Sequence, residues 1–326
     1  MAPRFLALLA AAVLAPPVAL AAEELAPGVT LLPGRFVPGV QPDGNTVVFR
    51  APDGLVVVDT GRHASHTQAI LDLAARAGLP IAAVVSTHWH LDHVGGNPRV
   101  RRAHPGVRVW GSRAIEEART GFLAGYRRQL VEAIAATADP EARRRFQDEV
   151  ALVDAGPALA PDEVVRAAGA RTLAGRVLEL GLEARAVTAA DVWVLDPATG
   201  VLAAGDLVTL PVPLLDTACP RGWQAALGRL AAAPFQVLVP GHGRPMRRAD
   251  LEAYRAGFDH LLACAASASP AQACVDGWLR DLGPLVPAAD RELAATLLRH
   301  YVADRLRPPG MGAQACADEP GAGPRP

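Results

Sequence analysis

The chain has 326 residues, 51% of them hydrophobic and 20% charged, and its 32 basic and 33 acidic side chains leave a formal charge of −1. Near-neutrality removes the basic footprint of a nucleic-acid binder, and so apolar a composition excludes a disordered chain while permitting one large domain or two small ones. No lysine occurs, which rules out a Schiff-base lysine, a lysine phosphate anchor and a lysine oxyanion clamp.

Arg4 precedes an uncharged run from Phe5 to Ala22, broken near its end by Pro16 and Pro17, and Ala19-Leu20-Ala21 has the small-x-small form of a cleavage site. Residues 1–21 are therefore expected to be a signal peptide, cut after Ala21 or Ala22. No later segment is apolar over enough length to span a bilayer. The mature chain is expected in the periplasm or secreted, with no stable membrane span.

Thr46–Arg50 and Leu55–Asp59 are predicted strands joined by a turn at Pro52-Asp53-Gly54. Thr67–Ala77 carries apolar residues at helical spacing and stops at Gly78. Ile81–Val85 and Val107–Trp110 are short strands, so the alternation indicates an α/β layered fold. From Ser112 to about Gly169 the pattern turns helical and charge-rich, a helical insertion. Strands resume at Arg176–Leu180, Glu183–Val187, Asp191–Leu195, Val201–Ala204 and Phe235–Val239. Residues 249–307 form a helical extension, and 308–326, rich in Pro and Gly, are expected to be a disordered tail.

Cys219, Cys264, Cys274 and Cys316 allow three pairings in an oxidising compartment, or four free thiols. Cys264 and Cys274 flank a Ser/Pro break between two helical patterns and are placed to staple a helical hairpin. None has C-x-x-C spacing.

Chemistry concentrates in Thr87-His88-Trp89-His90-Leu91-Asp92-His93, three histidines and a carboxylate within six residues. Imidazole and carboxylate are zinc donors, and His88 and His90, two apart after a strand, share a face. His88-x-His90-x-Asp92-His93 resembles the signature of the metallo-β-lactamase superfamily. Asp59-Thr60-Gly61, Gly205-Asp206 and Gly241-His242-Gly243 resemble its further landmarks, in the expected order. The resemblance implies a four-layer αββα sandwich over about residues 24–248, with the metal site along one sheet edge. It further implies that His88 and His90 bind a first metal and that Asp92, His93 and His242 bind a second, with Asp206 bridging. Asp59 would support the metal loop from beneath.

One family ligand is missing. Val187, in Ala186-Val187-Thr188-Ala189-Ala190-Asp191, stands where the third histidine of the first metal is expected, and no histidine lies between His104 and His242. His63 is the candidate replacement, while Glu183 and Asp191 are poorly placed for it. The expected cofactor is one or two zinc ions per chain, tight at the second position and weak at the first. The implied activity is a zinc-dependent hydrolase acting through an activated water on an ester, lactone, lactam or similar bond of a small molecule, with Asp92 orienting that water. Arg221 and Arg244 could hold an anionic group. The alternative is a catalytically degenerate metal- or ligand-binding accessory protein of the periplasm. No sequence motif supports a protein partner.

Overall fold

A computed structural model describes residues 22–35, 40–308 and 316, so the expected signal peptide and nearly all of the expected tail lie outside the described residues. Among those described, no helix is long and apolar enough to cross a membrane.

Two sheets face each other. The first contains β1 (Glu23–Ala26), β2 (Val29–Leu32), β3 (Thr46–Ala51), β4 (Gly54–Val58), β5 (Ile81–Val85), β6 (Arg108–Gly111) and β7 (Glu163–Val164), each beside the next. The second contains β8 (Gly169–Leu173), β9 (Arg176–Ala184), β10 (Ala190–Asp196), β11 (Val201–Thr209) and β12 (Val237–His242), again in sequential order. Pairing is antiparallel from β1 to β4 and from β8 to β11, and parallel from β4 to β7 and between β11 and β12.

Strand periodicity builds the layers. Val47 and Phe49 of β3, Val56 and Val58 of β4, Val192 and Val194 of β10, and Val201 and Ala203 of β11 fill the space between the sheets. Their neighbours point outward, as a period of two requires. Val48, Leu55 and Val57 meet Ile70 and Ala74 of α1 (Ala64–Ala77). On the other outer face Leu202 and Ala204 join an apolar cluster with residues of the later helices. Each fully buried Val or Leu contributes about 1.5–3 kcal/mol, so the two-faced pattern favours a four-layer αββα arrangement.

The short helices α2 (Leu91–Val94) and α3 (Asn97–Ala103) follow β5. The insertion comprises α4 (Ala114–Thr120), α5 (Phe122–Ala136) and α6 (Pro140–Asp154). After α7 (Pro220–Ala232) come α8 (Arg248–Ala265), α9 (Ala271–Leu282) and α10 (Arg291–Tyr301). Cys264 pairs with Cys274 across the α8–α9 hairpin, and Cys219 pairs with Cys316. Such bonds persist in oxidising surroundings.

The structure corrects the sequence reading in three places. The four-residue strands β1 and β2, turning at Gly28 (φ +73°), carried too few residues to register as a pattern. Helix stops at Asp154 rather than near Gly169, and the chain from Gly156 (φ +56°) leads into β7 and β8. Arg176–Ala184 is one continuous strand, not two, and Val187 lies in the loop after it. Gly181 does not break that strand. It faces Trp193 across the ladder, where a Cβ would come within 1.8 Å of the indole.

Candidate metal centre

The strands deliver the polar residues to one place. Asp59 follows β4, His88 lies just beyond β5, Asp206 sits within β11, and His242 ends β12. Between Ala203 and Gly205 the β11–β12 register shifts, and Gly205 takes φ +54° with room only for hydrogen against Thr87. That irregularity occurs one residue before Asp206. A Cβ at Gly241 would lie 2.0 Å from Asp206 Oδ1, so β12 must pass the carboxylate with a bare backbone.

Two donor clusters result. His88, His90 and Asp206 form one; Asp92, His93 and His242 form the other. Asp206 stands between them. Its Oδ2 is 3.6 Å from His88 Nε2 and 3.9 Å from His90 Nδ1. Its Oδ1 is 3.1 Å from His93 Nε2 and 3.6 Å from His242 Nε2. Asp92 Oδ2 completes the second cluster, 3.0 Å from His242 Nε2 and 3.6 Å from His93 Nε2.

The other nitrogens of three rings are already committed. Asp59, held at φ +60°, accepts from the Thr87 backbone N–H (2.8 Å), the Thr87 hydroxyl (2.7 Å) and His93 Nδ1 (2.7 Å). Because the Thr87 proton goes to Asp59, His88 Nδ1 donates to Thr87 Oγ1 at 3.0 Å. The Thr217 hydroxyl donates to the Val187 carbonyl (2.9 Å), so His90 Nε2 donates to Thr217 Oγ1 (3.0 Å). These bonds leave His88 Nε2, His90 Nδ1 and His93 Nε2 facing Asp206. His88 Nε2, His93 Nε2 and both Asp206 oxygens are buried with no hydrogen-bond partner, a costly state that a divalent metal relieves. The N/O donor set suits zinc.

The electrostatics favour positive charge at the site. Burial, then the neighbouring His93 and His90, push His88 well below the usual histidine range. Burial opposes charge on His93 as well, but Asp206, Asp59 and Asp92 raise it well above that range. Burial would raise Asp92 and Asp206, yet His93 and His242 hold both carboxyls low. Donors are thus kept anionic among buried rings. Burial pushes Asp191 up to about 6 despite the Thr188 N–H and hydroxyl bonded to it.

The remaining predicted residues lie elsewhere. Val187 is fully buried in the apolar cluster on the helix-covered face of the second sheet, and only its carbonyl joins the hydrogen bonds of the site. His63 Nδ1 is bonded to Asp43 Oδ2 at 2.9 Å, and His63 belongs to neither donor cluster. Glu183 binds Trp193 Nε1 and Arg229. Arg221 is exposed, and Arg244 pairs with Asp250.

Three contributors have no sequence signal. Thr217 is one, on the loop between β11 and α7. That loop is fastened to the C-terminal extension: Trp278 Nε1 donates to the Pro211 carbonyl (2.9 Å), the Tyr301 hydroxyl donates to Asp216 (2.8 Å), and Arg305 pairs with Asp216 (3.5 Å). Arg62 is the second, 3.7 Å from Asp92 and bonded to Glu149 of α6. Phe122 of α5 is the third. It is half exposed and packs on Trp89 at 4.8 Å, while Trp89 meets His90 edge-on at 4.5 Å. The His90 side chain, 17% exposed, is the most accessible among the six donors, so the site opens beside this apolar wall.

Comparison with known proteins fits this geometry. The family model described as "Metallo-beta-lactamase superfamily" matches residues 40–242. The chain belongs to the metallo-β-lactamase superfamily. Solved superfamily structures share its fold. A metallo-β-lactamase from Pontibacter korlensis superposes with a TM-score of 0.55 at 21% identity, covering 74% of this chain and 99% of that one. One from Hirschia baltica gives 0.54 at 19%, covering 72% and 96%. Curated relatives include a hydroxyacylglutathione hydrolase of Gloeobacter violaceus, 46% identical over 44 residues (14% of this chain, 18% of that protein). A linear primary-alkylsulfatase of a Pseudomonas species is 26% identical over 220 residues, 61% of this chain and 41% of that protein. The chain spans less than half the length of either relative.

Proposed function

We propose that this superfamily member is an exported metal-dependent hydrolase with an asymmetric two-metal site. The observation that carries the reading is the Asp206 carboxylate, with one oxygen toward His88 and His90 and the other toward His93 and His242. Asp92, His93, His242 and Asp206 would hold one zinc tightly. His88, His90 and Asp206 would hold another weakly, for want of a fourth protein donor. Zinc supplies a water acidified to a pKa of about 7 and a Lewis-acid centre.

The chain's own residues do the rest. Asp59 orients His93 and, through Thr87, His88, while Thr217 orients His90, so three ring nitrogens face Asp206 without rearrangement. Asp92 keeps a carboxylate oxygen beside the second cluster, where it can orient a nucleophile. Trp89 and Phe122 form an apolar flank for the uncharged part of a substrate next to His90. Substrates of the ester, lactone, lactam or similar class fit such a centre, and the relatives named above carry the names of hydrolases. Both disulfides support residence outside the cytoplasm.

A second reading rests on Val187: a three-donor first cluster would also suit an accessory protein that binds metal without turnover. One experiment addresses both. Metal per chain is counted by plasma mass spectrometry, and a panel of lactams, lactones, thioesters and sulfate esters is assayed before and after chelation. Chelator-sensitive hydrolysis restored by zinc supports the enzyme. Metal uptake with no turnover across the panel favours the accessory protein, and no uptake even with added zinc sinks both.

A further inference from the structure

The helical insertion reaches the second donor cluster through a buried guanidinium. Arg62, in the loop after β4, has a side chain only 9% exposed. It donates to Glu149 Oε2 of α6, and the Tyr126 hydroxyl of α5 donates to the same oxygen at 3.1 Å. On its other side Arg62 lies 3.7 Å from Asp92 Oδ1. Asp92 therefore divides its oxygens, with Oδ1 toward Arg62 and Oδ2 toward His242 at 3.0 Å.

We infer that Arg62, locked by Glu149 and Tyr126, is a positioning residue that fixes which oxygen of Asp92 serves the second donor cluster. The inference rests on reading that cluster as a metal site. A guanidinium suits the task because it stays charged and its planar fork can meet two carboxylates at once. Burying it unpaired would be costly, and Glu149 supplies the compensating charge, leaving the Asp92–Arg62–Glu149 triad at a net −1. Glu149 is itself only 8% exposed, so neither partner is a solvated surface charge. The insertion thereby acts on the centre without contributing a donor. Without Arg62, Asp92 can rotate or chelate through both oxygens.

The test removes the lock while preserving the net charge of the triad, by Arg62→Gln combined with Glu149→Gln in the full chain. Zinc affinity is measured by competition with a chelating indicator, and cobalt is used as a spectroscopic probe. The expected result is about a 10–100-fold loss of affinity at the tight position. The visible cobalt spectrum should weaken as Asp92 turns bidentate, with the weaker position unmoved. Unchanged affinity and spectrum would overturn the inference, as would an equal loss at both positions, which marks a general loosening. If the double variant does not fold, Glu149→Asp shortens the lock by one methylene at constant charge, and an unchanged cobalt spectrum overturns the inference equally. A wild-type chain that takes up neither metal removes the proposed function and this inference with it. A wild-type chain that binds them beside an unaltered variant removes the inference alone.

Discussion

The two donor clusters share a carboxylate but are built to different standards. Around the second, four side chains converge from α2, β11 and β12, and Asp92 and His93 are each held from behind by a buried charge, Arg62 and Asp59. Around the first, two rings and one carboxylate oxygen converge, and the tether of His90 is a neutral hydroxyl on a loop. A metal site need not be symmetric to be preorganised. Here rigidity accompanies donor number, and the cluster with fewer protein donors is also the one open to solvent.

Asp206→Ala tests the shared element and should have the largest effect. Both positions lose a donor, so retention should fall by more than about 100-fold at each, read as metal per chain after dialysis. Loss at one position only would break the bridging geometry. Val187→His tests the asymmetry in the opposite direction. If the missing imidazole is what weakens the first cluster, metal content should rise from one to two per chain. A lower Tm with unchanged metal would instead show the new ring held in the apolar cluster that Val187 occupies.

Thr217→Val sharpens the comparison further. It frees His90 Nε2 and should weaken only the first position, by about 10–100-fold, in zinc competition titrations. The last expected effect is on stability and leaves the metal positions aside. The carboxyl of Asp191, near 3.8 when exposed, is pushed up to about 6 by burial. Between those values the folded chain holds the extra proton, so metal-free stability should fall as pH rises from about 4 to 6 and stay low above that. Asp191→Asn should flatten that slope, worth on the order of 3 kcal/mol in urea melts, and an unchanged slope would assign it to other groups.

Most of the site could be read from the sequence because its parts are local. His88, His90, Asp92 and His93 lie in one short segment running from the end of β5 into α2, and Asp59, Asp206 and His242 each end or interrupt an apolar strand. The layered fold was legible for the same reason, since β3, β4, β10 and β11 are short apolar runs bounded by turn residues, the pattern of strands buried on both faces. What escaped depends on distant contacts. Arg62 matters only because Glu149 lies beside it in space, and Thr217 only because its loop returns to His90. The strands β1, β2, β7 and β8 are too short or too polar to show a period before a neighbour supplies the ladder. The strands expected at Arg176–Leu180 and Glu183–Val187 run together through Gly181, because nothing in the sequence reveals the indole opposite.

The bonds from Trp278, Tyr301 and Arg305 to the Thr217 loop also impose an order in time. A ribosome that has released His242 has already made every donor of the second cluster. The loop that tethers His90 is fastened only when α9 and α10 have emerged and docked. The donors of both clusters thus precede α8 in the chain, but the first cluster alone waits on the C-terminal extension for the support of one of its rings. A chain cut short after α8 would leave His90 and Thr217 on an unfastened loop, whatever residue stood at position 187.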